Sequence, residues 1–178
     1  MPPLISPRFE NSKSIFNCIL KQDVLLYYPY HRFEHFTEFL RQAAYDLKVE
    51  RIQISLYRVA GDSLVIKNLI DAARNGKSVH VVLELQARFD EQANLEWARE
   101  LKDAGVKVSF GVPHLKVHAK ICRIRRREKT GLNTYCYIGT GNFHEKTARI
   151  YTDFGLFTSH PEICKEVGYV FKFIEEPY

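Results

Sequence analysis

Two spacings of apolar residues take turns along this chain. "FEHFTEFLRQAAYD" sets Phe33, Phe36, Phe39, Leu40, Ala43 and Ala44 three and four residues apart, which predicts an amphipathic helix. "RIQISLYRV" puts Ile52, Ile54 and Leu56 on one parity, which predicts a strand. "DSLVIKNLIDAARNGK" returns to the helical spacing, with Asp62 or Ser63 as N-cap and Gly76 as the stop. "SVHVVLEL" is a nearly unbroken apolar run, as expected of a strand covered on both faces. "DEQANLEWARELKDAG" predicts another helix ending at Gly105, and "VKVSFGV" another strand. The short run "DVLLYYPY" stops at Pro29. Further on, "TYCYIGTGN" and "TDFGLFTS" read as strands, and a basic turn over 126–133 precedes the first of them. "HPEICKEVGYVFKFIEE" closes as a helix with Pro161 near its first turn.

Strand–helix units in succession predict an α/β fold: a mixed, mainly parallel sheet flanked by helices, with the later strands antiparallel. Ligands gather at the C-terminal ends of strands in such sheets. Arg58, Arg88 and the loop beginning at Gly139 fall at such ends. Residues 1–20 carry few strong caps and are expected to form an arm or the end of a preceding domain, with residues 21–178 as the main unit. That weak opening and the abrupt finish at "EEPY" lead us to expect a piece of something larger.

The segment "HLKVHAKI" alternates without exception, with His114, Lys116, His118 and Lys120 on one parity. In a strand, His118 and Lys120 would share a face about 6.6 Å apart. An imidazole beside an ammonium is poorly suited to general-base work on neutral substrates and well suited to a phosphoryl group. The ring nitrogen can attack phosphorus while the ammonium balances charge on the oxygens. Lys120 would also keep His118 neutral. A basic strand face is more often simply solvated. About twenty residues later comes "GTGN", where Gly139 and Gly141 allow close backbone approach and Thr140 and Asn142 offer hydrogen bonds, with Lys146 and Arg149 following. Alone it reads equally well as a tight turn. The two motifs in series are more specific than either.

The whole chain sharpens this only a little. Its 178 residues suffice for one domain with a real core, and its formal charge of +5 fits an anionic ligand without choosing one. The four cysteines form no C-x-x-C pair, which argues against a disulfide scaffold and against zinc. There is no signal-like start and no apolar run of membrane-spanning length, so a reduced cytoplasmic chain is expected, with peripheral attachment at the inner membrane face left open.

His-x-Lys followed by Gly-Thr-x-Asn resembles the phospholipase D superfamily motif, His-x-Lys-x4-Asp then Gly-Ser-x-Asn, although Arg125 stands at the Asp position. A fuller resemblance runs through "DVLLYYPYHRFEHF", "YRVAGDS", "ELQARFDEQAN", "LKVHAKI" and "YIGTGNFHEKTARIYTDFGLFT". Together these segments resemble the long polyphosphate kinase family. That family reversibly moves the terminal phosphate of ATP to inorganic polyphosphate through a phosphohistidine, in a site built from two phospholipase-D-like halves.

The resemblance implies that this chain holds the first half, with His118 phosphorylated and Lys120 beside it. Arg58 and Arg88 fall on the family's two magnesium-site arginines. A guanidinium cannot ligate Mg²⁺, so both are expected to hold phosphate oxygens that in turn bind the metal. Tyr151 falls on the nucleotide-binding tyrosine, and Gly139, Thr140, Gly141 and Asn142 are expected around phosphate. Tyr137 stands where some members carry a second histidine; His144 lies close by at a different position. His114 and Lys116 are candidates for a polyanion track. The implied partners are ATP or ADP with Mg²⁺, polyphosphate, the second half and the N-terminal and head domains of a longer chain, and further copies in a homo-oligomer, with no nucleic acid. Two other readings stay open: a phospholipase-D-type phosphodiesterase, against which Arg125 speaks, and a non-catalytic polyanion-binding module.

Overall fold

The computed structural model describes residues 3–10, 12–84 and 91–176. In chain order its elements are α1 (Pro7–Glu10), α2 (Ile15–Lys21), β1 (Val24–Tyr28), α3 (Glu34–Tyr45), β2 (Val49–Leu56), α4 (Leu64–Arg74) and β3 (Ser78–Leu83). There follow α5 (Glu91–Asp103), β4 (Lys107–Phe110), β5 (Lys120–Glu128), β6 (Gly131–Gly139), a single 3-10 turn at Thr147–Arg149, β7 (Asp153–Thr158) and α6 (Pro161–Glu175). The strands form one sheet in the order β1-β7-β6-β5-β2-β3-β4.

The sheet is mixed, as expected, but parallel pairing is confined to β2–β3 and β3–β4. The other neighbours, β1–β7, β7–β6, β6–β5 and β5–β2, are antiparallel. "Mainly parallel" therefore holds for strand direction, since only β5 and β7 run against the rest, and fails for pairing. The cause is local: β5 and β6 are joined by a hairpin, which forces antiparallel neighbours. The basic turn is also shorter than expected. β5 runs to Glu128 and β6 starts at Gly131, because Arg126 is held in the ladder by Asp46 and Glu128 and Arg127 by Glu50.

Alternation along the strands builds two unequal cores. Leu26, Ile52, Ile54, Val81, Cys122, Ile124, Tyr135, Tyr137 and Phe157 point to one face, where the buried sides of α3 and α4 cover them. Phe9, Ile15, Phe16 and Ile19, from the segment ahead of β1, join the same core. On the opposite face α6 packs through Cys164, Val167, Phe171 and Ile174 against Val82, Ile121 and Cys136. The cap and stop signals hold: Ser63 Oγ accepts from the amides of Val65 and Ile66 at the start of α4, and Gly76 and Gly105 take positive φ after α4 and α5.

Candidate active site

The strand pattern brings five strand ends to one rim of the sheet. Lys120, first in β5, pairs with Gly139, last in β6, and Gly139 pairs with Gly155 in β7. Asp153, first in β7, pairs with Tyr28, last in β1. β2 ends at the same rim, delivering Tyr57 and Arg58. Between them lies a cleft of about 310 Å³ lined by Arg58, His118, Lys120, Thr140, Gly141, Asn142, His144, Thr147, Tyr151, Thr152 and Asp153. A larger, mainly apolar cleft around Leu4, Pro29 and Tyr30 has Arg149 and Glu34 paired at its edge and no nucleophile of this set.

"HLKVHAKI" is not the strand its alternation predicts. Only Lys120 and Ile121 enter β5. His114 has φ of 64°, which breaks the extended run, and Leu115 bridges back to Val112. Side chains take the hydrogen bonds a ladder would have used. Val117 N–H donates to Glu84 Oε2 at 2.7 Å, the Ala119 carbonyl accepts from Ser55 Oγ at 2.7 Å, and Ile121 N–H donates to Ser55 Oγ at 3.2 Å. The segment is thus pinned as a loop over the ends of β2 and β3. His118 is exposed in the cleft while Lys120 is buried and donates to the His118 carbonyl at 2.6 Å.

The expected electrostatics are present. Partial burial and the charges of Lys120, Lys116 and Arg58 hold the His118 imidazole below its ordinary pKa, so it stays neutral and nucleophilic. Burial lowers Lys120 to about 8, opposed by Asp153 and assisted by Lys116. Asp153 is the only carboxylate lining the cleft among the described residues. Asp153 belongs to neither of the two motifs; its signal in the sequence is an acid opening an apolar strand two residues after Tyr151.

Side-chain contacts hold the Gly139–Asn142 loop in place. Thr140 Oγ1 donates to Asp153 Oδ1 at 2.8 Å and accepts from Phe154 N–H at 2.9 Å. A Cβ at Gly141 would collide with the Asp153 carboxylate, so glycine is required there. Phe143, fully buried, stacks on Phe36 with centroids 4.5 Å apart and anchors the loop's far end in the core. Asn142 Oδ1 is buried and makes no hydrogen bond among the described residues. Glu145 Oε1 accepts from Ser63 Oγ at 3.0 Å and Leu64 N–H at 2.8 Å, tying this loop to the start of α4.

Of the other candidates, Tyr151 reaches the cleft and is 63% exposed, open for stacking. Arg88 lies outside the described residues. Tyr137 lies beneath the cleft, buried, with its hydroxyl donating to that of Tyr28 at 3.4 Å, whereas His144 lines the cleft itself. Arg149 turns to Glu34 and does not line it. Arg125 sits five residues along β5, about 17 Å from Lys120 at strand rise. That position is away from the reacting groups, so its difference from the phospholipase D motif weighs less against diester chemistry than the sequence implied. Among the described residues no three His, Cys, Asp or Glu side chains gather as metal ligands. The described residues of the cleft offer a divalent cation one carboxylate, Asp153, which fits a metal carried largely by phosphate oxygens and not a protein-made cage.

Residues 14–178 match the family described as polyphosphate kinase C-terminal domain 1. The chain is 56% identical over its full length to a polyphosphate kinase of Vibrio vulnificus strain YJ016, covering 25% of that protein. It is 57% identical over 163 residues, 92% of the chain, to a polyphosphate kinase of Escherichia coli K12, covering 24% of it. The chain thus spans about a quarter of the length of these relatives. A crystal structure of polyphosphate kinase from Porphyromonas gingivalis superposes with a TM-score of 0.87 at 36% identity, over 98% of this chain and 29% of that one. Nuc, a phospholipase D family member from Salmonella typhimurium, shares the fold, with a TM-score of 0.65 at 13% identity over 86% of this chain and 93% of its own. With its fold, its cleft and a match running from Ser14 to its last residue, the chain belongs to the polyphosphate kinase C-terminal domain 1 family.

Proposed function

We propose that this chain carries the phosphorylated histidine of an ATP:polyphosphate phosphotransferase. The observation that supports it most is His118: an accessible, neutral imidazole surrounded by Lys116, Lys120 and Arg58, in a cleft with a single carboxylate among the described residues. In the first step an imidazole nitrogen of His118 attacks the γ-phosphorus of ATP. The N–P bond forms, the bond from phosphorus to the β,γ-bridging oxygen breaks, and ADP leaves with that electron pair. In the second step a terminal oxygen of polyphosphate attacks the same phosphorus, the N–P bond breaks, and the chain is one unit longer.

Phosphoryl transfer asks mainly for positioning and charge balance. Lys120 and Arg58 supply positive charge to the equatorial oxygens, and Arg88 is proposed beside them. The Gly139–Asn142 loop fits close against phosphate, with Thr140 holding Asp153 in place. Tyr151 offers a face for the adenine ring. Mg²⁺ bound to ATP would neutralise phosphate charge, and Asp153, the one carboxylate lining the cleft among the described residues, would be able to touch it. We further propose that the open side of the cleft is closed by the parts of the longer protein that this chain does not span.

Full-length enzyme incubated with γ-labelled Mg·ATP tests the proposal. Acid-labile, alkali-stable label and polyphosphate synthesis are expected in the wild type and neither in His118→Ala. Label that persists in His118→Ala contradicts the proposal. Hydrolysis of a diester substrate without label favours the phosphodiesterase reading, and polyphosphate binding with neither activity favours a binding module.

A further inference from the structure

Tyr57 stands among the charged groups around His118. The His118 ring meets it edge-on, with centroids 4.8 Å apart and planes at 76°. Lys116 Nζ and Lys120 Nζ each lie 5.2 Å from its centroid, and Arg58 Cζ lies 5.6 Å away. Cations gathered this closely repel one another, and among the described residues Asp153 is the only carboxylate that lines the cleft. The negative face of an aromatic ring attracts ammonium and guanidinium groups.

The ring is also well fixed. Tyr57 is 8% exposed, and its carbonyl accepts from Asn94 Nδ2 at 3.3 Å, an amide that donates as well to the Glu84 carbonyl at 3.0 Å. The Glu84 carboxylate holds Val117 N–H, between Lys116 and His118. One aromatic ring, anchored at the joined ends of β2 and β3, thus stands among three cationic side chains.

We propose that Tyr57 is a positioning residue, which gathers Arg58, Lys116 and Lys120 around His118 before phosphate arrives. This deepens the His118 reading and rests on it. The groups facing His118 are Lys116 and Lys120 from its own segment and Tyr57 and Arg58 from the end of β2. Glu84 stands behind the segment from the end of β3, and His144 and Tyr151 from the stretch between β6 and β7, with Asp153 at the start of β7, stand opposite. With the ring's pull weakened, the cations spread, positive potential at His118 falls, and its imidazole becomes easier to protonate.

Full-length enzyme carrying phenylalanine, monofluorophenylalanine or trifluorophenylalanine at position 57 keeps the ring's shape while draining charge from its face. Two readouts apply: the rate of labelling by γ-labelled Mg·ATP, and the pH dependence of His118 acylation by diethyl pyrocarbonate, resolved by peptide mass spectrometry. The second reads neutral imidazole and needs no turnover. Tyr57→Phe is expected to resemble wild type. Increasing fluorination is expected to raise the acylation midpoint toward the ordinary imidazole value and to slow labelling on the order of tenfold. Label on His118 with both readouts flat across the series overturns the role of Tyr57. A midpoint that shifts across the series in an enzyme that takes no label supports the gathering role and overturns the phosphohistidine reading instead.

Discussion

His118 and Lys120 are shifted in the same direction, and the two shifts bound the chemistry from opposite sides. The His118 pKa lies below the ordinary imidazole value, so the attacking neutral form is lost only as pH falls below that ordinary range. The Lys120 pKa is lowered to about 8, so its ammonium is lost as pH rises through about 8. Labelling of the full-length enzyme should therefore follow a bell, with its acid limb below about pH 6.5 and its alkaline limb near 8. Lys120→Arg, always charged, should abolish the alkaline limb, and an unmoved limb would assign it to another group. Lys120→Met should slow labelling on the order of a hundred- to a thousandfold, the usual cost of removing one charge-stabilising donor. Gly141→Ala tests the loop: its Cβ would push Asp153 off Thr140, costing about 1–3 kcal/mol of stability in denaturant melts.

Elements explain what was legible in the sequence and what was not. Helical spacing and caps located α3, α4, α5 and α6, because apolar stripes and Ser63, Gly76 and Gly105 act locally. His118, Lys120 and the Gly139–Asn142 loop were legible by residue type and order, Arg58 by its place at a strand end, and Tyr151 only through the family resemblance; all of them meet in one cleft. The alternation of "HLKVHAKI" misled because periodicity records side-chain parity and not where backbone hydrogen bonds go. Glu84 and Ser55, far away in sequence, claim those bonds. Asp153 and Tyr57 escaped notice for a related reason: each matters through partners 13 to 63 residues distant, Thr140 for one and His118 and Lys120 for the other. Glu145 is a third long-range device, closing the start of α4 from the loop after β6. Glu145→Ala should destabilise the fold by about 0.5–2 kcal/mol, as loss of a helix cap does. An unchanged unfolding midpoint would show that Ser63 caps α4 unaided.

At the scale of the molecule, one sheet holds two layers together and presents all its chemistry on one rim. Stability and activity should therefore respond to different histidines. His35, in the main layer, accepts from Ser6 N–H at 3.0 Å, and burial, followed by the charge of His31, lowers its pKa to about 4. A neutral folded imidazole binds its proton later than the unfolded chain does. The stability it contributes is complete above about pH 6.5 and is lost as pH falls from there to about 4. His35→Gln should flatten that slope in denaturant melts across pH, and a slope unchanged by the substitution would place the titration elsewhere. No described helix is long and apolar enough to cross a membrane. The open cleft, with Tyr151 exposed, also leads us to expect little polyphosphate synthesis from these 178 residues alone. Appreciable synthesis would mean that one sheet rim suffices.

The most direct measurement is to locate the phosphate on the intact enzyme. Full-length protein quenched in alkali after exposure to γ-labelled Mg·ATP, digested and sequenced by mass spectrometry, should carry label on the peptide containing His118, and a chase with polyphosphate should remove it. Label on another residue, or label on His118 that polyphosphate cannot discharge, would contradict the mechanism.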